Sequence, residues 1–388
     1  MWRSVASNGL TFLIVILFLA GGAILWGQSQ YTSAGPLSDP ICLRVERGSN
    51  MTRVSQTLQD QGAVTSARIF RIGADYADKT QELKAGSFLV QPGSSMAEIV
   101  DQITRGGPST CGTEVVYRIG VTRASALVRE LDPATGRYVE KAEFTLGEDE
   151  APEAYRQQRQ SGDTRYRVAM AEGVTSWQVI EALRGIDLLT GDLPEEVPAE
   201  GSLAPDSYEV RAGDSRAALL RRMSEAQTVI LNAAWESRAE GLPLATPEEA
   251  LILASIIEKE TSVPEERRQV ASVFVNRLRQ GMRLQTDPTV IYGITRGQGV
   301  LGRGIRQSEL RAETPWNTYV ITGLPPTPIA NPGRASIEAA LNPDTTEYIF
   351  FVARSLNPRD GHNFAVTLDE HNRNVAIYRQ LEREAAQD

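Results

Sequence analysis

The longest apolar run of the chain, GLTFLIVILFLAGGAILWG, lies close to its amino end and carries no charge. As a helix, about 18 residues of this composition span roughly 27 Å, close to the thickness of a bilayer core. We therefore predict a transmembrane helix over residues 10–27, with Trp26 at one interface, after a cytoplasmic tail over residues 1–9. The alternative is a signal peptide that is cleaved after Ala34.

A shorter pattern recurs further along the chain, in LRVERGSNMTRVSQTL, FLVQPGSSMAEIVDQI and VAMAEGVTSWQVIEAL. In each segment an apolar residue stands three positions before a glycine, and apolar residues follow six and ten positions after it. The pattern predicts a strand, a glycine turn, a Ser, Asn or Thr cap and an amphipathic helix. The glycines are Gly48, Gly93 and Gly173, and a weaker copy surrounds Gly213.

Between residues 130 and 166 the chain is charged and has few periodic apolar positions. Such composition is typical of a linker or a poorly ordered insertion, and we predict one there. Regular patterning resumes at Tyr166.

From Thr246 the helix signals become strong. Thr246 and Glu249 fit a capping box, with Pro247 at the first helical position. The segment ALILASIIEKE is apolar on nearly every side, which predicts a central, buried helix that ends before Pro264. A second helix, two loops, a helix over residues 334–341, a strand and a last helix follow, so we predict an α+β fold for this domain.

Composition excludes several function classes. The net charge is −9, and no basic stripe with interleaved aromatic residues is present, which argues against a nucleic-acid partner. No phosphate-binding glycine motif is present, which argues against nucleotide binding. The chain has only two histidines and two cysteines, and we expect no metal and no cofactor.

Two carboxylates end the apolar helix. Glu258 and Glu260 are two residues apart and therefore point about 200° apart, so they cannot form a paired dyad on the helix. Apolar surroundings and the negative end of a helix both raise a carboxyl pKa, as a general acid requires. Glu260, nearest the helix end, is the better candidate. In the alternative, both acids pair with Lys259 and the next helix, and the segment is only the polar end of a buried helix.

The segments ASIIEKET, RRQVASVFVNRLRQGMRLQTDPTVIYGI, NTYVITGLPPTPIANPG and GHNF, with a later EHN, resemble the endolytic murein transglycosylase (YceG-like) family. The resemblance implies a lytic transglycosylase that cleaves MurNAc–GlcNAc bonds within nascent peptidoglycan strands and leaves 1,6-anhydro-MurNAc ends. The catalytic glutamate of the family matches Glu260. One alternative is a hydrolytic muramidase, for which Asp287 or Glu313 would supply a second carboxylate. The other is a non-catalytic, membrane-anchored peptidoglycan-binding scaffold.

Motif positions and side-chain chemistry also suggest the residues around Glu260. The expected substrate-binding residues are Gln285, Thr286, Asp287, Tyr292, Asn317, Tyr319 and Asn331, with Trp316 as a further stacking candidate. The expected supporting residues are Glu258, Thr261 and His362. In each case a structural role is open: turn formation before Pro288, half-buried packing for the aromatic residues, and turn capping for the asparagines.

The strand–helix units near the amino end resemble LysM-type glycan-binding modules, although any α+β domain can reuse such units. The predicted organisation after the transmembrane helix is a LysM-like module (40–112), an extra strand–helix segment with the linker-like insertion (113–165), a strand–helix region (166–245) and a YceG-like catalytic domain (246–388).

The amino-terminal charge of Arg3 favours a cytoplasmic amino end. We therefore predict a single-pass protein of the cell inner membrane, with its catalytic part in the periplasm. Its expected partners are peptidoglycan strands, with peptidoglycan synthases as further candidates. In that compartment Cys42 and Cys111, which flank the first two strand–helix units, are predicted to form a disulfide.

Overall fold

The computed structural model describes residues 2–107, 109–161 and 163–386, and it has the predicted mixed α+β composition. Its first element is helix α1 (Trp2–Thr32), which exceeds the predicted span at both ends. The part Thr11–Thr32 has a mean hydropathy of 2.0 and is long enough to cross a membrane, as a signal sequence also would be. The helix continues through Thr32, the first residue of the alternative cleavage site.

The chain forms two compact units. Unit 1 contains the residues up to Val116, with Leu127–Phe144 and Glu150–Tyr166. Unit 2 contains Tyr117–Ala126, Thr145–Asp149 and the chain from Arg167 onward.

Unit 1 begins with a strand–helix–helix–strand arrangement after α1. The elements are β1 (Ile41–Val45), α2 (Met51–Asp60), α3 (Ala67–Tyr76), β2 (Gly86–Val90) and α4 (Met96–Arg105). Strands β1 and β2 pair antiparallel, with Ile41 opposite Val90 and Val45 opposite Gly86. The helices close over this sheet through fully buried side chains, among them Leu43, Leu58, Phe70, Ile99 and Ile103.

The predicted disulfide is present in unit 1. Cys42 on β1 is bonded to Cys111, and their Cα atoms lie 5.9 Å apart. The bond joins the first strand of the unit to the segment that follows α4, as the flanking positions of the two cysteines indicated.

The next elements are β3 (Thr113–Ile119), β4 (Ala124–Asp132), β5 (Arg137–Thr145), α5 (Glu153–Gln160), β6 (Arg165–Met170), α6 (Ser176–Gly185) and β7 (Ser207–Val210). Five of these strands form a sheet with the order β5-β4-β3-β6-β7. The prediction of a linker or poorly ordered insertion between residues 130 and 166 is therefore wrong. That stretch holds the end of β4, all of β5 and α5, and the start of β6.

All four predicted strand–turn–helix units are present. Each turn glycine has a positive φ, between 72° and 90°, which side chains with a Cβ rarely adopt. Each following helix has a capping side chain whose oxygen accepts a backbone N–H of the first turn. These caps are Asn50, Ser95, Thr175 and Ser215.

The carboxy-terminal part of unit 2 is mainly helical. Its elements are α7 (Arg216–Glu236), α8 (Pro247–Glu260), α9 (Arg267–Arg279), α10 (Asp287–Thr295), α11 (Gln307–Leu310), α12 (Arg334–Leu341), β8 (Phe350–Ala353), β9 (His362–Ala365) and α13 (Leu368–Ala385). Strands β8 and β9 pair antiparallel. Helix α12 has the predicted bounds.

Helix α8 is the central, buried helix that its apolar sequence predicted. Leu253, Ala254, Ile256 and Ile257 are fully buried in the core of unit 2. The Thr246 hydroxyl accepts the backbone N–H of Glu249, as expected. The second half of the capping box differs, because the Glu249 carboxylate accepts the N–H of Ala245, one residue earlier.

Candidate active site

Glu260 is the last residue of α8, and its side chain is partly buried. Its Oε1 accepts a hydrogen bond from the hydroxyl of Thr286. Burial raises the pKa of Glu260 to about 7, and the nearby Asp287 carboxylate adds to the rise. The Thr286 hydroxyl and the Arg277 charge oppose it, because both stabilise the ionised form. At neutral pH both protonation states of Glu260 are therefore populated, which is the condition for one group to act as acid and as base.

Thr286 stands immediately before α10, but its hydroxyl does not cap that helix and is directed to Glu260 instead. The backbone N–H of Thr286 donates to the Thr318 hydroxyl at 3.0 Å. The hydroxyls of Thr289 and Thr318 are 2.8 Å apart. All three threonines are buried, so the loop that carries Thr286 is fixed to the loop that carries Thr318.

Gln285, next to Thr286, is an exposed non-glycine residue with φ of 50°. Its backbone N–H donates to the Thr318 carbonyl at 3.1 Å, which holds the chain in this left-handed conformation. Strained backbone of this kind persists where surrounding contacts enforce it, and it is common at functional sites.

Asp287 and Tyr319 form a pair beside Glu260. The Tyr319 hydroxyl donates to Oδ1 of Asp287 at 2.6 Å, and Asp287 is exposed. Burial raises the pKa of Tyr319, and the Asp287 carboxylate raises it further. Tyr319 therefore remains a neutral hydrogen-bond donor, and Asp287 places a carboxylate at the surface close to Glu260.

Arg277 on α9 is a member of the site that the sequence did not reveal. It is 7% exposed, and it donates from Nε to the Ile349 carbonyl at 2.6 Å and from Nη1 to the Leu284 carbonyl at 2.7 Å. Burial lowers its pKa. Arg277 follows the apolar residues Val270 and Phe274 at helical spacing, and this spacing indicates that Arg277 lies on the buried face of α9. A buried cation requires hydrogen-bond partners, so the sequence did contain an indication of its role.

Tyr292 contacts a second partly buried carboxyl group, Glu200, which the sequence also did not reveal. The Tyr292 hydroxyl donates to Oε2 of Glu200 at 3.2 Å, and the backbone N–H of Ser176 donates to Oε1 at 2.8 Å. Burial raises the pKa of Glu200, whereas these hydrogen bonds lower it. Because Tyr292 is held by this contact, its ring is oriented within unit 2.

Trp316 packs near Tyr292, with the ring centroids 6.0 Å apart. Its indole N–H donates to the Thr327 hydroxyl at 3.0 Å, and the guanidinium of Arg296 lies 3.7 Å above its ring. Both aromatic residues are partly exposed and partly packed, so the stacking role and the packing role remain compatible with their contacts.

Asn317 and Asn331 are fully buried, and their side-chain amides bind backbone groups of neighbouring segments. The amide of Asn317 donates to the carbonyls of Glu309, Leu310 and Ala312. The amide of Asn331 donates to the Val174 carbonyl and accepts from Leu203 N–H, both at 2.9 Å.

Glu258 and Glu260 have separate partners, as their angular separation on the helix predicted. Oε2 of Glu258 accepts the backbone N–H of Gly333 at 2.9 Å. Lys259, which the alternative paired with both acids, donates from Nζ to the Gly173 carbonyl at 3.3 Å. These contacts connect α8 to the backbone at Gly173 and Gly333.

The other two predicted supporting residues lie just beyond α8 or bond to the segment that follows it. Thr261 is buried and accepts Val263 N–H with its hydroxyl at 3.1 Å. Nδ1 of His362 lies 2.9 Å from Oε2 of Glu266, and the same carboxylate accepts the backbone N–H of His362. Glu266 thus fixes the orientation of the His362 ring. The two residues are 96 positions apart, so the sequence did not predict this pair.

Comparison with known proteins gives a family match over most of the chain. The profile of the YceG-like family matches residues 43–132 and 113–377. An endolytic murein transglycosylase of Bacillus subtilis is 27% identical over 359 residues, which cover 92% of this chain and 89% of that protein. An endolytic murein transglycosylase of Streptococcus pneumoniae is 26% identical over 377 residues, 95% of this chain and 64% of that protein. A crystal structure of a YceG-like protein from Listeria monocytogenes superposes with a TM-score of 0.46 at 24% identity, over 86% of this chain and 98% of that one.

Proposed function

Because the chain belongs to the YceG-like family, we propose that it is an endolytic murein transglycosylase that cleaves the MurNAc–GlcNAc bond within peptidoglycan strands. The relatives in Bacillus subtilis and Streptococcus pneumoniae bear that name. The observation that carries the proposal is the carboxyl group of Glu260, whose pKa of about 7 suits both halves of an acid–base cycle.

The reaction requires one carboxyl group and proceeds in a closed proton cycle. Glu260, as the acid, donates its proton to the glycosidic oxygen, and the bond from that oxygen to C1 of MurNAc breaks. The resulting carboxylate accepts the proton of the MurNAc 6-hydroxyl, whose oxygen attacks C1 and closes the 1,6-anhydro ring. Glu260 is then protonated again, and no water is consumed.

The residues around Glu260 divide the remaining tasks. Thr286 orients the Glu260 carboxyl group through its hydroxyl. Arg277 limits the rise in the pKa of Glu260, so the ionised form remains populated at neutral pH. The side chains of Gln285 and Asp287, which are exposed beside Glu260, would bind sugar hydroxyl and N-acetyl groups. Tyr292 and Trp316 would stack on sugar faces.

We further propose that α1 stays attached and holds the protein in the inner membrane, with both units in the periplasm. The Cys42–Cys111 disulfide supports an oxidising compartment. The strand–helix–helix–strand arrangement of β1, α2, α3 and β2 supports a LysM-like module that binds glycan strands. Such a module would retain the substrate near the catalytic unit, and peptidoglycan synthases remain candidate partners.

The identity of the products tests the reaction. Purified murein digested with the protein should yield 1,6-anhydro-MurNAc ends, which mass spectrometry distinguishes because they are lighter by one water than reducing ends. Reducing MurNAc ends would identify a hydrolytic muramidase, with Asp287 as the second carboxylate. Binding to murein without any product would identify a scaffold.

Glu260→Gln and Glu258→Gln form a matched pair for the same assay. The Glu260→Gln substitution keeps the shape of the side chain but leaves no proton to transfer, so activity should fall by about 10²–10⁴-fold without any decrease in the melting temperature. Glu258→Gln should retain substantial activity or lose it together with stability. A well-folded but inactive Glu258→Gln protein, alongside an active Glu260→Gln protein, would reverse the assignment.

A further inference from the structure

The last turns of helix α1 pack on α3. Tyr31 packs against the core of unit 1. A Cβ atom added to Gly73 on α3 would lie 2.2 Å from the Tyr31 ring, so only glycine allows this approach. The Gln30 and Thr65 side chains meet at 3.4 Å, and Gly35 N–H donates to the Gly93 carbonyl at 3.1 Å. The end of α1 and the residues just after it are therefore fixed to α3, to the residue Thr65 just before α3 and to the turn at Gly93.

The contact with α1 divides α3 into two flanks. Measured around the helix from Gly73, Phe70 and Ala74 lie about 60° and 100° to one side, and both are fully buried in the core. Tyr76 and Ile72 lie about 60° and 100° to the other side. These two side chains are 95% and 59% exposed. An apolar and aromatic surface without a partner in the described chain thus borders the contact with α1.

The position of α3 along α1 indicates what covers this surface. Trp26, near the end of the apolar run, is 61% exposed. Tyr31 is five residues further on, a rise of about 7.5 Å along the helix. The headgroup layer on one side of a bilayer is about 5–8 Å thick, so α3 is attached at the depth of the headgroups if α1 spans the membrane.

We propose that the face of α3 formed by Arg68, Ile72 and Tyr76 lies in the headgroup layer of the membrane that α1 spans. This proposal rests on α1 being an uncleaved anchor, as proposed above. The three residues are spaced four apart and share one face of the helix. Tyrosine is enriched at membrane interfaces, isoleucine would bury its side chain among the upper acyl carbons, and the exposed arginine can reach lipid phosphates.

The face gives unit 1 a defined orientation. A single transmembrane helix allows an attached domain to rotate and tilt, but a second contact on α3 removes much of that freedom. Unit 1 would then present the same surface to the space above the membrane.

A fluorescent label on the face tests the proposal in the full-length protein. Both native cysteines are in the disulfide, so Ile72→Cys provides one free thiol for an environment-sensitive dye. Val139→Cys on β5 is the matched control, because Val139 is an exposed aliphatic residue of the same unit, 48% exposed. In liposomes the dye at position 72 should shift to shorter wavelength, and lipids with a shallow nitroxide should quench it at least about twofold more than at position 139.

The outcomes separate this proposal from the one on which it rests. Protein that floats with the liposomes but shows equal, water-like fluorescence at positions 72 and 139 overturns the α3 face and leaves the anchor intact. Protein that does not float overturns the anchor and, with it, the α3 face. Tyr76→Cys should behave like Ile72→Cys, and a label there that remains in water would also contradict the proposal.

Discussion

The Glu260 carboxyl group makes folding stability depend on pH. Its pKa is about 7 in the folded protein, above the ordinary value of 4.5, so the folded state retains the proton more strongly than the unfolded state. The stability from this group is fully present below pH 4.5 and is lost as the pH rises through 7. Glu260→Gln has no such ionisation. We expect its melting temperature to match that of the wild type near pH 4.5 and to exceed it increasingly up to pH 8. A difference that does not change with pH would contradict a raised pKa.

Thr286 should set the pH at which Glu260 loses its proton. The hydroxyl of Thr286 donates to the carboxylate, so Thr286→Val removes a bond to the ionised form and raises the pKa of Glu260 further. The alkaline limb of kcat/KM on murein should therefore move to higher pH. Thr286→Ser keeps the hydroxyl and is the control, with its limb near that of the wild type. A limb that moves to lower pH in Thr286→Val would show that the bond does not stabilise the carboxylate.

The location of Glu260 at the end of a buried helix could be predicted from the sequence, whereas the long-range contacts around it could not. The choice of Glu260 over Glu258 as the candidate acid was based on the apolar helix that Glu260 ends and on the spacing of the two glutamates. Arg277 reaches the Ile349 carbonyl 72 positions along the chain, and Glu200 reaches Tyr292 across 92 positions. Such pairs depend on tertiary packing, which the sequence periodicity of a single element does not predict.

At the level of elements, the strand–turn–helix units were predictable because each has its own turn glycine and cap. Strand β5 was not, because most of its residues are exposed and its apolar positions are sparse. Phe144 at its end packs edge-on against Tyr155 of α5, with ring centroids 5.0 Å apart, and this contact orders a stretch whose composition suggested disorder.

The turn before β9 offers a test of backbone packing. Gly361 has φ of 75°, and an added Cβ would lie 2.1 Å from Oε1 of Glu266, the carboxylate that holds His362. Gly361→Ala should cost roughly 1–3 kcal/mol, because residues with a Cβ rarely adopt this backbone conformation, and it should in addition displace Glu266. Gly323, with φ of 83° and no atom within 4 Å of the added Cβ, is the matched control. Thermal melts should show a larger decrease for Gly361→Ala. Equal decreases would mean that Glu266 moves aside without cost.

At the scale of the whole molecule, the sequence predicted the order of the parts better than their boundaries. The apolar helix, the strand–helix units and the α8 region occur in the expected order. The strands β3 and β4 each contribute residues to both compact units, so linear domain limits such as 113–165 and 166–245 do not coincide with the units. A chain that crosses between units more than once gives no composition change at the crossing, and only the folded structure reveals it.

The disulfide should stabilise unit 1 without affecting unit 2. Cys42 and Cys111 are 69 positions apart. In the loop-entropy treatment, closing a loop of that length lowers the entropy of the unfolded chain and raises its free energy by about 4 kcal/mol. Reduction, or Cys42→Ser with Cys111→Ser, should lower the free energy of unfolding of unit 1 by that amount. Hydrogen exchange of the β1 and α2 amides in urea measures it. Trp177, Trp235 and Trp316 all lie in unit 2, so their denaturation midpoint should not move. If the midpoint of these tryptophans shifts together with the exchange of β1 and α2, the two units unfold as one, and the stabilisation is shared by the whole chain.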